Sequence, residues 1–131
     1  MAELDDYARE LLSGKGFAHL ATFNADGTVQ VNPVWIDVVD GRVLVNTAVG
    51  RVKHRNLARD PRVTVEISDP SDPYSYVEIR GTAELSTDGA EEAIDALAKK
   101  YMDADTYPFR TESERRINVW ITPTRVVSSK R

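Results

Sequence analysis

The sequence predicts a mainly β fold, a small antiparallel β-barrel of about six strands with flanking helices. Short segments that alternate apolar and polar residues, or that are rich in β-branched residues, recur along the chain as expected for half-buried strands. Turn sequences at Asn24–Gly27 and Asp40–Gly41 separate neighbouring segments, and such turns join antiparallel strands. A single helix falls between the third and fourth strands, so the pattern favours hairpins over a parallel α/β sheet.

The first elements follow from local patterns. Apolar residues at helical spacing predict a helix over residues 3–12, with Gly14 as its C-cap. Two strands are predicted next, at 17–23 and 29–38. Pro33 interrupts the second strand, and because proline cannot donate a ladder hydrogen bond, we expect an edge position or a bulge there.

The later elements are predicted in the same way. A third strand at 42–47 leads into a basic helix that Pro61 ends. Strands follow at 63–67 and, after a loop, at 74–85, where Gly81 is expected to bend or bulge the chain. The remaining predicted elements are a helix at 90–102, an ordered loop at 103–116, and β structure at 118–122 and 125–128.

Composition limits the class of protein. A chain of 131 residues, 41% hydrophobic and 29% charged, predicts one globular domain with its own core. The sequence has no cysteine, which excludes disulfides, thiol catalysis and Cys–His zinc sites. A net charge of −4 argues against a nucleic-acid binder. Neither a membrane-length apolar run nor a signal-peptide core is visible, so we expect a cytoplasmic protein without a membrane partner.

The basic helix opposes this acidic background. Five cations and one carboxylate stand between residues 51 and 62. Arg51, Arg55 and Arg59 fall at i, i+4 and i+8, where like charges repel. An anion docked at the start of the helix would relieve the repulsion and use the free backbone N–H groups there. The segment therefore indicates either a site for a small phosphorylated ligand or a solvated charged face.

Protein-based catalysis has no visible machinery. The only histidines are His19 and His54, and no nucleophile elbow, dinucleotide fingerprint or phosphate loop occurs. Acidic side chains near the C-terminal loop offer paired carboxylates, but their loose spacing favours a solvated loop; they are Asp103, Asp105, Glu112 and Glu114. We therefore predict no catalytic side chain and no metal site. Reactive chemistry would belong to a bound cofactor.

The second strand and the end of the third carry groups suited to such a cofactor. Gln30 and Asn32 offer amides on one face, and Trp35 offers a broad apolar plane that could cover a ring system. Core or dimer packing is the alternative for Trp35. Asn46 and Thr47 immediately precede the basic helix and could bind the same phosphate, or serve only as a turn or cap.

Several sequence blocks, in this order, resemble the flavin/deazaflavin split-barrel oxidoreductases, and in particular the F420-dependent branch of the pyridoxamine-phosphate-oxidase-like family. The opening blocks are 21–22, 26–31, 33–35 and 41–44, and the blocks closest to the F420-dependent branch are 46–48, 50–53, 55–63 and 72–85. Tyr107–Pro108 and the tail at 121–126 fit the same branch. The resemblance spans nearly the whole chain, as expected for one cofactor-binding domain over residues 1–131.

The resemblance implies a homodimeric split β-barrel, FMN-binding-like in fold, with two sites for the deazaflavin coenzyme F420 at the dimer interface. Carried over by position, the residues meeting the phosphate would be Asn46, Thr47, Arg51, Lys53, Arg55 and Asn56. The residues lining the ring would be Gln30, Asn32, Pro33, Val34 and Trp35.

The implied activity is an F420H2-dependent reduction, in which hydride passes to a small electron-poor organic acceptor. The alternatives are an FMN-binding split-barrel oxidoreductase and a non-catalytic cofactor- or haem-binding protein. The full substrate apparatus of pyridoxamine phosphate oxidases is not matched, so vitamin B6 oxidation is not inferred.

Overall fold

A computed structural model describes residues 2–131 and contains seven strands and three helices in that range. The helices are α1 (Asp6–Ser13), α2 (Val52–Arg59) and α3 (Ala90–Met102). The strands are β1 (Ala18–Phe23), β2 (Val29–Val34), β3 (Asp37–Val39), β4 (Arg42–Ala48), β5 (Arg62–Asp69), β6 (Asp72–Ser86) and β7 (Arg116–Ser129). None of the three helices is long and apolar enough to cross a membrane.

All seven strands form one antiparallel sheet in the order β2-β1-β5-β6-β7-β4-β3. This confirms the predicted mainly β, antiparallel fold. The strand count is seven because the predicted second strand, 29–38, is two strands broken at Trp35 and Ile36. Tyr101 of α3 fixes this break, since its hydroxyl accepts the Ile36 N–H at 3.2 Å and donates to the Gly16 carbonyl at 2.8 Å.

The two-residue connection between β2 and β3 determines the shape of the sheet. β2 and β3 are the two edge strands, yet only Trp35 and Ile36 join them. The edges must therefore lie close together, and the sheet curls towards a barrel. Helix α1 contacts β3, β5 and β6, so its apolar side packs against these strands. Its buried residues and the inward-facing strand residues form the core, which includes Leu12, Leu20, Ile36, Val45, Ile79 and Ile121.

Pro33 and Gly81 lie at positions in the sheet that suit their backbone properties. Pro33 is on the edge strand β2, opposite His19 of β1, as predicted. Gly81 is at a register shift between β6 and β7, where Arg80 pairs with Arg125 but Gly81 pairs with Pro123. The bulge predicted at Gly81 is therefore confirmed, and the extra residue belongs to β7.

Other boundaries differ from the sequence prediction. Helix α1 begins at Asp6 because Asp5 caps it, accepting the Ala8 N–H at 2.8 Å. The predicted loop at 69–73 is a tight turn, because Asp69 still pairs with Asp72. The two C-terminal β segments are one strand, β7, which pairs with both β4 and β6 along its length.

Candidate functional site

A cavity of about 240 Å³ lies among β2, β4, the start of α2, one face of α3 and the segment that follows α3. Its lining contains two chemical groups of residues. The polar and cationic residues are Asn32, Asn46, Thr47, Arg51, Lys53 and Arg116. The apolar and aromatic residues are Phe17, Pro33, Val34, Trp35, Ile94, Leu97, Tyr107 and Phe109. The two groups meet where the Arg116 guanidinium lies over the Tyr107 ring, 5.1 Å from its centroid.

Three lining cations and one neighbouring carboxylate set the charge beside the cavity. Arg51 donates to Glu114 Oε2 at 2.8 Å, and Arg116 donates to Glu114 Oε1. Lys53 has no carboxylate within 4.0 Å among residues 2–131. The four groups together carry a charge of +2, so this part of the lining is suited to an anion.

This excess of positive charge affects the protonation of Lys53. Burial, together with the nearby charges of Arg51 and Arg116, lowers the pKa of the Lys53 ammonium. An anion bound beside it would reverse the unfavourable charge interactions and raise that pKa. Glu114 behaves in the opposite way: burial would raise its pKa, but the hydrogen bonds and charges of Arg116 and Arg51 outweigh burial and lower it.

Asn46 orients the buried arginine. Its side-chain oxygen accepts a hydrogen bond from Arg116 Nε at 2.8 Å. Its amide nitrogen donates to the Ala90 carbonyl and to Asn118 Oδ1, both at 2.9 Å. Because these bonds occupy the whole side-chain amide, Asn46 positions Arg116 and links β4 to α3 and β7.

Two other polar atoms of the lining have no such partner. Asn32 Oδ1 and Thr47 Oγ1 are buried and lack a hydrogen-bond partner among residues 2–131. Burying a polar atom without a partner costs about 1–3 kcal/mol. Both residues line the same cavity, so a ligand with donor groups would satisfy them.

A series of contacting aromatic rings forms the apolar part of the lining. Trp35 stacks on Tyr101, with ring centroids 5.4 Å apart and planes 5° apart, and meets Tyr107 edge-on at 6.2 Å. Tyr107 in turn contacts Phe109, which is 61% exposed. One face of Trp35 is therefore occupied by protein. The exposed Phe109 widens the apolar surface at the cavity mouth.

The structure brings most of the sequence-predicted site residues to this one cavity. Eight of the eleven line it: Asn32, Pro33, Val34, Trp35, Asn46, Thr47, Arg51 and Lys53. Gln30, Arg55 and Asn56 do not. Asn56 is buried elsewhere and donates to Thr22 and Asn24, at 3.0 and 2.9 Å. Arg55 projects from α2 into solvent. Gln30 lies on β2, and its buried Oε1 has no hydrogen-bond partner within residues 2–131.

Sequence reasoning missed the second half of the site. Tyr107 and Phe109 come from the segment between α3 and β7, and Arg116 is the first residue of β7. All three fall in residues 103–116, which were predicted to be an ordered loop with solvated carboxylates. That prediction is wrong for Glu114, whose side chain is 18% exposed and bridges two arginines. The carboxylate of Glu114 directly before Arg115 and Arg116 was the only available indication. It does not identify Arg51, 63 residues away, as a partner of Glu114.

The arrangement is one for binding. Among residues 2–131, no three His, Asp or Glu side chains converge in a way that could hold a metal ion. The lining offers both cationic donors for an anion and flat apolar contacts. Such a mixed cavity fits a ligand with a phosphorylated tail and an aromatic ring system.

The family model described as pyridoxamine 5′-phosphate oxidase matches residues 4–130. A solved structure named F420 Reductase is 29% identical, with a TM-score of 0.81 over 91% of this chain and 94% of that chain. This agreement confirms the predicted split barrel.

More distant structures share the fold. The conserved hypothetical protein Rv2991 from Mycobacterium tuberculosis is 23% identical, with a TM-score of 0.74 over 98% of this chain and 85% of that chain. HupZ from Group A Streptococcus is 19% identical, with a TM-score of 0.71 over 95% of this chain and 93% of that one. Since the family model extends over nearly every residue, the chain belongs to the pyridoxamine 5′-phosphate oxidase family.

Proposed function

We propose that this protein is an F420H2-dependent reductase that acts on a small electron-poor organic acceptor. Family membership and the similarity to an F420 reductase support an oxidoreductase. The observation that carries the finer proposal is the mixed lining of the cavity, which brings the cations Lys53 and Arg116 together with the aromatic rings of Trp35 and Tyr107. When bound, the reduced deazaflavin supplies the hydride.

The residues of this chain would bind and orient the coenzyme. Lys53, Arg51 and Arg116 would hold its phosphate, and Asn46 would keep Arg116 aimed at it. The orphaned oxygens of Asn32 and Thr47 are available to donors on the ring or on the chain that joins ring to phosphate. The aromatic residues of the lining would exclude water from the ring system of the coenzyme.

Fluorescence titration of the purified protein with F420 and with FMN tests this proposal. We expect F420 to bind at micromolar or tighter affinity and more tightly than FMN, and we expect acceptor-dependent oxidation of F420H2. Equal or tighter binding of FMN would indicate the flavin alternative. Tight F420 binding without turnover across enones and quinones would indicate a non-catalytic cofactor carrier.

We also propose that the protein is a homodimer whose partner completes each site. The cavity of about 240 Å³ is smaller than the roughly 300–1,000 Å³ of ordinary ligand pockets. Edge strand β2 lines the cavity through Asn32, Pro33 and Val34, and it exposes Val29 and Val31, at 51% and 57%, on the same face as Pro33. A second copy packed along β2 would cover these valines and enclose the cavity.

Sedimentation equilibrium of a Val31→Lys variant tests the dimer. The wild-type protein is expected to have twice the mass of the chain, and the variant to dissociate at micromolar concentration because lysine would be buried without a partner. Val39→Lys is the matched control, because Val39 is 40% exposed on the other edge strand, β3. A monomeric wild-type protein, or a variant that remains as dimeric as the control, would contradict the proposed interface.

A further inference from the structure

We propose that Glu114 is a specificity-determining residue, an internal competitor anion that biases the cavity towards ligands with a singly charged phosphodiester over those with a doubly charged phosphate monoester. The inference rests on the proposed function, since it assumes that the lining cations Arg51, Lys53 and Arg116 bind a phosphate. It adds a residue outside the cavity lining and a selection rule for the charge of the ligand.

The geometry gives Glu114 its role. Its two carboxylate oxygens are each used by a different arginine of the lining, Oε2 by Arg51 and Oε1 by Arg116. Arg116 is 4% exposed and Glu114 is 18% exposed by side chain, so solvent screens the contact only in part. A carboxylate therefore already takes one hydrogen bond from each of the two guanidinium groups that line the cavity.

A fixed negative charge acts on bound anions in proportion to their charge. The energy between two charges is the product of the charges divided by distance and dielectric, so a dianion feels twice the repulsion that a monoanion feels at the same place. Glu114 lowers the charge of the cation set from +3 to +2 and leaves Lys53 as the one cation without a carboxylate. Glu114 therefore weakens the binding of phosphate monoesters more than the binding of phosphodiesters.

A purely structural role makes a different prediction. If Glu114 served only to hold Arg51 and Arg116 in place, its loss would disorder the site and weaken every ligand. If it is a competitor anion, its loss strengthens anionic ligands and leaves neutral ones unchanged. Ligands that share one ring system and differ only in phosphate charge separate the two cases.

The experiment measures dissociation constants of wild-type protein and Glu114→Gln for three flavins at pH 8. Riboflavin carries no phosphate, riboflavin 4′,5′-cyclic phosphate carries one negative charge, and FMN carries two, because the second pKa of a phosphate monoester is about 6. Glutamine keeps the size and the acceptor oxygen of the side chain. It removes the charge and replaces one acceptor oxygen with an NH2 group, which cannot accept from an arginine.

We expect riboflavin binding to be unchanged in Glu114→Gln. Removing the negative charge of Glu114 should strengthen binding of the cyclic phosphate by about five- to tenfold. It should strengthen binding of FMN by about 25- to 100-fold, which is the square of the first factor. Glu112→Gln is the control, because Glu112 is exposed in the same segment and has no ion pair among residues 2–131. That variant should alter none of the three constants.

Three results would overturn the proposal. Equal gains for the cyclic phosphate and FMN would remove the selection by charge, and weaker binding of all three flavins would assign Glu114 a structural role. A third result is a dissociation constant of FMN that is no lower in Glu114→Gln than in the wild-type protein, including the case in which wild-type binding is too weak to measure. That result would show that Glu114 is not a competitor anion. Titration of wild-type protein with F420 judges the proposed function separately, because that result does not depend on Glu114→Gln.

Discussion

Replacing Gly81 with valine is expected to lower the free energy of unfolding by about 3 kcal/mol, towards the upper end of overpacking effects. A Cβ at this position would stand 2.4 Å from the Thr122 carbonyl oxygen and 2.8 Å from Ile121 Cγ2. The first atom belongs to the backbone of β7, so no side-chain rotation can relieve the clash. Relief would require β6 and β7 to separate at the bulge. Urea unfolding followed by circular dichroism measures the change.

Gly14→Ala is the matched control for this substitution. A Cβ at Gly14 would lie 3.5 Å from the nearest atom, the Leu11 carbonyl oxygen, which is ordinary van der Waals contact. Its effect should stay within about 0.5 kcal/mol. If Gly81→Val unfolds at the same urea concentration as Gly14→Ala, the close approach of β6 and β7 at Gly81 is not present in solution.

Lys53→Ala is expected to weaken binding of the phosphorylated coenzyme by roughly 1.5–3 kcal/mol, about 10- to 150-fold. Lys53 is the lining cation that no carboxylate neutralises among residues 2–131, so its charge is fully available to a ligand. Alanine removes that charge without touching the Arg51–Glu114–Arg116 bridge. Fluorescence titration with F420 measures the loss.

Arg55→Ala controls for the general charge of the basic helix. Arg55 lies on the same helix as Lys53 but is exposed and does not line the cavity, so its loss should change binding much less. The pH dependence supplies a further check. Because the pKa of Lys53 is lowered in the free protein, affinity should fall as pH rises through that lowered value, and Lys53→Ala should lack this component. Equal losses in the two variants would exclude a specific contact at Lys53.

Much of the fold could be predicted because its elements carry local patterns. The alternation in 63–67 and the helical stripe in 90–102 depend on residues close in sequence, and both elements form where expected. The break at Trp35–Ile36 could not be found in this way. It depends on the Tyr101 hydroxyl, 65 residues away, which fixes the backbone of Ile36.

The same distinction applies to the site. The cations of the helix at 52–59 were visible as a cluster, and Lys53 and Arg51 do line one cavity. Asn56 was grouped with them by position, but its side chain points to β1 and ties the helix to Thr22. Arg116 and Glu114 could not be predicted, because only the pairing of β4 with β7 brings them beside Arg51.

The short link between the two edge strands has a consequence for the order in which the molecule assembles. Its anchor, Tyr101, and the partner of β4, residues 116–121, are made long after the link itself. A nascent chain therefore cannot complete the sheet until β7 has left the ribosome. Such distant pairings slow folding to the millisecond-to-second range. Ligand affinity should consequently arise only after β7 has been made, in one late step.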